Sequence, residues 1–282
     1  RRIIIMEIDD IIKKVDRLKQ FSLTYMKVKK MLADPYVASK KIVDVIKYDQ
    51  SFTANILKIC NSALYRREQK IRNLIQAVSL LGSNRLKQIV LIESVNAVMS
   101  QTYKGYEVNE RELWNHSIIT ALIAEQIGNE LKFHDVDTLF TAAILHDIGK
   151  VVLSEFVDEK FEDIHNLVKE GSSFLSAEKE VLGVNHAEVG GKILENWRFP
   201  QVLIDTVRFH HNPIECRDNK FVKIVNIADT VAMLMGSTTQ RDGLSYLSYP
   251  EIGAHLKFRN KDVQKVISLV SSKINDVENL LS

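Results

Sequence analysis

Ala142-Ala143-Ile144-Leu145-His146-Asp147-Ile148-Gly149-Lys150 is an apolar run broken by one histidine–aspartate pair. It lies within Asp137 to about Phe156, where apolar residues recur at helical spacing. A carboxylate there is costly unless it is paired or bound to a metal. Histidine and aspartate are side chains that hold borderline divalent cations. The run is thus both a core helix and a candidate fragment of a metal site.

Outward from it, further histidines and one aspartate sit on apolar helical segments. Glu110 to about Glu130 places Leu113, Ile119, Leu122 and Ile123 on one helix, which carries His116. Asn185 is a good N-cap and Glu188 the return arm of a capping box, so His186 takes the first helical position. Gly190 and Gly191 lie inside that helix, each costing roughly 1 kcal/mol relative to alanine. Either close backbone packing on a neighbouring helix or a local bend accounts for them. A helix from about Pro200 to His211 carries His210-His211, and Asn212-Pro213 stops it. Val222 to Met235 is apolar nearly all round, as a buried helix is. Asp229 is its only charged residue after Lys223.

An isolated histidine on a helix is more often a hydrogen-bonded core residue than a ligand. His116, His146, Asp147, His186, His210, His211 and Asp229 together would require repeated coincidence. Helices crossing in a bundle can bring such positions to one point. His134, His165 and His255 fall near charged or loop-like sequence and read as surface residues.

The 282 residues are 45% hydrophobic and 26% charged, with 11 Gly and 4 Pro, so helices are favoured over a strand-rich fold. No internal repeat, Gly-rich phosphate loop or convincing run of strands is present. Cys60 and Cys216 form no CxxC and read as buried, reduced thiols. No apolar run approaches the roughly 18 residues of a spanning helix. Glu7, Asp9 and Asp10 interrupt Arg1-Arg2-Ile3-Ile4-Ile5 too soon for a secretory signal, which leaves a cytoplasmic protein as the expectation. Residues 1–100 hold 19 basic against 9 acidic side chains, and the remainder 19 against 27. That asymmetry hints at an anionic partner, but the basic residues are spread over several helices, so solvated faces are the simpler reading.

Leu145-His146-Asp147-Ile148-Gly149-Lys150 resembles the signature of the HD superfamily of metal-dependent phosphohydrolases. The order His116, His146-Asp147, His186, His210-His211, Asp229 resembles its two-metal branch, which includes the HD-GYP cyclic-dinucleotide phosphodiesterases. Asp49-Gln50-Ser51-Phe52-Thr53-Ala54-Asn55-Ile56-Leu57-Lys58-Ile59-Cys60-Asn61-Ser62-Ala63, continued by Gln76-Ala77-Val78-Ser79-Leu80-Leu81-Gly82, resembles the leading motif of HDOD domains. The HDOD resemblance spans roughly residues 20–235. Without it, Asn61-Ser62 and Leu81-Gly82 are simply helix ends. After His210-His211 the chain reads Asn212-Pro213-Ile214-Glu215-Cys216, with no Gly-Tyr-Pro motif, which departs from HD-GYP enzymes.

The resemblance implies an all-α fold: an HD-type multi-helix bundle over 106–240, preceded by an N-terminal helical part over 1–105 and followed by C-terminal helices over 241–282. The best candidate linker is 101–105. HDOD domains are bacterial signalling modules, many with lost metal ligands, whereas this chain keeps the full set. By resemblance Asp147 bridges two divalent cations. His116, His146 and Asp229 complete one position, and His186, His210 and His211 the other. Mixed imidazole and carboxylate donors favour Fe, Mn or Zn over Mg. Lys150, one turn beyond His146, either binds a phosphate oxygen beside the catalytic Asp147 or forms a salt bridge at the rim. Glu112, four residues before His116, is a candidate for a third metal, for orienting His116, or for a surface pair. The expected function is hydrolysis of a nucleotide-type phosphoester in a signalling protein. A catalytically silent regulatory or protein-interaction domain with a structural metal is the alternative. Nucleic-acid binding through Arg66, Arg67, Lys70 and Arg72 is the weakest of the three.

Overall fold

A computed structural model of the chain describes residues 37–46, 73–99, 112–196, 199–216, 218–237 and 256–281, with isolated positions such as Val28, Ile56, Cys60 and Tyr106. The described residues are overwhelmingly helical, with no strand among them, so the fold is all-α. Chain contacts divide the molecule into two compact units, Lys19–Ala97 with Ser271–Ser282, and Arg1–Leu18 with Val98–Val270. The linker expected at 101–105, the opening residues 1–5, Asn61-Ser62, the basic residues Arg66, Arg67, Lys70 and Arg72, and His255 lie outside the described residues.

In the smaller unit, α1 (Ser39–Ile46) buries Ile42, Val43 and Ile46. Helix α2 (Leu74–Met99) buries Leu74, Ala77, Val78 and Leu81 before Gly82 breaks its path at φ 69°, ψ 171°. That conformation is open to glycine at little steric cost. The end read at Leu81-Gly82 is therefore a kink between two helical runs.

The larger unit carries α3 (Glu112–Glu130), α4 (Val136–Leu145), α5 (Ile148–Glu159), α6 (Phe161–Lys169), α7 (Phe174–Leu182), α8 (His186–Asn196), α9 (Gln201–Phe209) and α10 (Lys220–Leu234). Helix α3 packs on α4 and α10, and α8 packs on α5 and α9. From Val222 to Ala232 only Lys223 of α10 is not buried, as its all-round apolar sequence requires. Helix α11 (Asn260–Leu281) closes the described chain. No described helix is long and apolar enough to cross a membrane. Cys60 is buried and Cys216 half-buried, and both are free thiols.

The helix expected from Asp137 to Phe156 is in fact two. Helix α4 ends at Leu145, Asp147 adopts φ −96°, ψ 11°, and α5 starts at Ile148. Around the break the backbone closes tighter i to i+3 turns, His146 N to Ala143 O at 3.4 Å and Lys150 N to Asp147 O at 3.0 Å. Adjacent residues on a straight helix point about 100° apart. The break lets His146 and Asp147 face the same point. Both arms are buried from Ala142 to Ser154, so the apolar pattern runs through the break and conceals it from periodicity.

Candidate metal centre

Close helix packing brings the arms together. A Cβ on Gly149 would lie 1.9 Å from the His186 carbonyl oxygen and 2.7 Å from Gly190 N. One on Gly190 would meet Val207 Cγ1 at 2.8 Å, and one on Gly191 the Arg208 side chain at 2.9 Å. The glycines thus mark the contact of α8 with α5 and α9, the packing rather than the bend. The capping box is complete: Glu188 N donates to Asn185 Oδ1 at 2.9 Å and Asn185 N to Glu188 Oε2 at 3.2 Å. It starts α8 at His186.

His116 from α3, His146 and Asp147 from the α4–α5 break, His186 from α8, His210 and His211 from the end of α9, and Asp229 from α10 meet in one buried cluster. None of these side chains is more than 5% exposed. Asp147 lies in the middle with its oxygens divided. Oδ2 faces His146 Nε2 at 3.5 Å and His116 Nε2 at 3.8 Å. Oδ1 faces His186 Nε2 at 3.5 Å and His210 Nε2 at 3.8 Å. His116 Nε2 also meets Asp229 Oδ1 at 2.9 Å. His211 Nε2 lies 2.9 Å from His186 Nε2.

The outward nitrogens set the chemistry of the inward ones. Nδ1 of His116, His146 and His210 each lies 2.7 Å from a backbone carbonyl, of Ser237, Ala143 and Val207 respectively. A carbonyl only accepts, so each Nδ1 carries the proton. In the neutral ring this leaves Nε2 with a lone pair turned inward. Nε2 of His146 and of His210 is buried and has no hydrogen-bond partner among the described residues. Two buried lone pairs beside a carboxylate are what a cation would satisfy, so the donor set fits a divalent metal.

Electrostatics agrees. Burial and the neighbouring His146 hold His210 down at about 3. Burial likewise lowers His146, and with His210 it keeps His211 well below 6.5. His116 goes the other way: burial alone would lower it, but the hydrogen bond and charge of Asp229, then Asp147, hold it above 6.5. Burial would raise both aspartates, yet Lys150 with the histidines keeps Asp147 well below 3.8, and His116 keeps Asp229 at about 2.

Lys150 is 3% exposed, with Nζ 2.6 Å from Asp147 Oδ2. A salt bridge is thus present, buried rather than at a rim. Glu112 opens α3, is half-buried and belongs to none of the metal-competent clusters among the described residues. His134 is exposed, and His165 is half-buried against Phe161 at 5.2 Å.

Sequence reasoning missed three contributors. Glu178 is fully buried and accepts from His186 N at 3.0 Å and His186 Nδ1 at 2.7 Å. Tyr106 donates its hydroxyl to the other Glu178 oxygen. Asn226 Nδ2 donates to the His210 carbonyl oxygen at 2.7 Å. Glu178 had a legible signal: it occupies the apolar stripe of α7 with Phe174, Ala177 and Leu182. Asn226 sits in the all-apolar α10, one turn before Asp229. Tyr106 lies in sequence without periodicity and had none.

The sequence and fold have relatives. The HDOD domain matches residues 18–213. An uncharacterized protein of Treponema pallidum (strain Nichols) is 23% identical over 204 residues, 71% of this chain and 38% of that protein. Ribonuclease Y of Mycoplasma mycoides subsp. mycoides SC is 27% identical over 180 residues, 62% of this chain and 29% of that protein. This chain therefore spans well under half the length of these relatives. Among solved structures, an HDOD domain protein of unknown function from Geobacter sulfurreducens aligns with a TM-score of 0.68 at 23% identity, covering 96% of this chain and 95% of that one. A Shewanella amazonensis protein proposed to be a phosphohydrolase aligns at 0.72 and 19% identity, covering 96% and 98%. These likenesses carry the fold, and the match over most of the sequence carries the family: this chain belongs to the HDOD domain family.

Proposed function

We propose that this HDOD protein is a signalling protein that hydrolyses a nucleotide-type phosphoester with two divalent cations. The observation that carries the reading is the division of Asp147, one oxygen towards His116 and His146 and the other towards His186 and His210. A carboxylate so placed suits a bridge because its charge offsets two closely spaced cations. His116, His146 and Asp229 would hold one ion with Asp147, and His186, His210 and His211 the other. Fe, Mn or Zn suits these donors better than Mg. Cations in such a site polarise phosphoryl oxygens and bring the pKa of water towards about 7. Lys150 supplies positive charge beside Asp147 and is the residue proposed to hold a non-bridging phosphate oxygen. Glu112 is the candidate for steadying His116 or for a third ion. The partial likeness to ribonuclease Y, named for acting on RNA, supports a phosphodiester as substrate class. A signalling protein as partner and a cytoplasmic setting belong to the same proposal.

One observation favours a second reading, a silent regulatory domain with a structural metal. Every cluster side chain is almost wholly buried, and structural metal sites are closed whereas catalytic ones keep an open position. A single experiment separates the two. Metal content of the freshly purified protein is measured beside turnover of a broad phosphoester panel, with Asp147→Asn as control. Turnover that follows metal content and is lost in D147N supports the enzyme. Stoichiometric metal with no turnover leaves the regulatory domain.

A further inference from the structure

Three of the cluster histidines are backed by a neutral carbonyl, but His186 is backed by a carboxylate. Glu178 Oε2 accepts both the backbone N–H of His186, at 3.0 Å, and its Nδ1–H, at 2.7 Å. Oε1 accepts the Tyr106 hydroxyl. Glu178 is 0% exposed and Tyr106 4%, and the Tyr106 ring centroid lies 6.0 Å from Lys150 Nζ. One buried carboxylate therefore fixes both the start of α8 and the orientation of its first side chain. It also ties them to the aromatic ring beside the Asp147–Lys150 pair.

The charge distribution gives this arrangement a consequence. On the side of His116 and His146, Asp229 adds a second carboxylate to the shared Asp147. On the side of His186, His210 and His211, Asp147 Oδ1 faces His186 Nε2 at 3.5 Å and His210 Nε2 at 3.8 Å, and Asp229 lies further off, its Oδ2 3.9 Å from His211 Nδ1. A cation there would meet three imidazoles, a share of the Asp147 charge and a more distant Asp229. Glu178 adds negative charge from behind, through the His186 imidazole. A carboxylate on the far nitrogen raises the basicity of a ligating histidine and locks its tautomer, and loss of such a partner typically weakens metal binding by 10–100-fold.

Resting on the dinuclear reading above, we infer that Glu178 is a positioning residue for the cation on the His186 side, and that it sets the affinity of that position alone. The test is titration of metal-free full-length protein with Co2+, followed by visible absorption, which reports each coordination environment. The wild type takes up two equivalents. In Glu178→Gln, which keeps the shape and an acceptor for Nδ1–H, one equivalent weakens about 10–100-fold. The other is unchanged in affinity and spectrum. A merely structural role would lower the unfolding midpoint and leave both affinities in the folded protein alone. Equal affinities in wild type and E178Q, or equal weakening of both equivalents, overturns the inference while leaving the dinuclear reading intact. If the wild type binds one equivalent, the dinuclear reading fails, and weakening or constancy of that equivalent in E178Q still decides the role of Glu178. No Co2+ uptake at all overturns both. Should E178Q not fold, Tyr106→Phe removes only the hydroxyl donor to Glu178. A several-fold loss confined to one equivalent supports the inference, and unchanged binding overturns it.

Discussion

Asp147 stays ionised at 1% exposure because Lys150 stands 2.6 Å from its Oδ2. Burial would raise its pKa, and Lys150, then His146, His186 and His116, outweigh that and hold it well below 3.8. Removing one partner of a buried pair strands the other charge, a loss of about 3–5 kcal/mol, whereas apolar replacement of both is often near neutral. Asp147→Ala should therefore destabilise the metal-free protein by about 3–5 kcal/mol in urea unfolding. Adding Lys150→Met to D147A should recover most of it, and additive losses would refute the coupling. His116 makes a second residue-scale prediction. Its Nδ1 donates to Ser237 O and its Nε2 meets a carboxylate, so both nitrogens carry protons while no cation is bound. A cation must displace the Nε2 proton, so uptake should release about one proton at pH 6 and less as pH rises. Affinity should rise over the same range. Calorimetry in buffers of different ionisation enthalpy measures this, and His116→Gln should abolish the dependence.

At the scale of elements, the contact of Gly149 with α8 positions Asp147 against His186. A methyl at Gly149 would overlap the His186 carbonyl at 1.9 Å, so backbone must move. Overpacking of this kind costs about 1–3 kcal/mol, and more where backbone is hit. Gly149→Ala should lower both the urea midpoint and the metal content, and full metal content at reduced stability would show that the contact does not set the site. The same elements show what was legible. The start of α8 was, because Asn185 and Glu188 are local signals and both capping bonds form. The meeting of the candidate ligands was anticipated from residue type in helical settings. The break at His146-Asp147 was not, because both arms are buried and the apolar pattern passes through it. Glu178 and Tyr106 were missed because their role is to hold another side chain, a contact that reaches 72 residues along the chain between them.

At the scale of the whole molecule, the core is built around groups that titrate, so stability without metal must depend on pH. Burial first, then neighbouring positive charge, lowers His210 to about 3 and His211 well below 6.5, and burial lowers His146. In the unfolded chain these rings titrate near 6.5. Below that pH the unfolded chain takes up protons the fold excludes, so stability falls as acid is added from 6.5 towards 3. The slope is about 1.4 kcal/mol per pH unit for each proton. His116 contributes with the opposite sign. Its folded value is raised, so its contribution is fully present below 6.5 and is lost as pH rises through that folded value. Asp147 and Asp229, both lowered, add a further loss only below about 3.8, the usual aspartate range. The windows meet, so urea midpoints of the chelator-treated protein should peak near pH 6.5, declining steeply towards acid and gently towards alkali. With cation bound His116 has already given up its inward proton, so the alkaline decline should vanish while the acid one remains, because protons then compete with the metal for every ring. A flat profile between pH 4 and 9 without metal would mean that these rings are solvated in solution, and the cluster would then be neither dry nor preorganised for a cation.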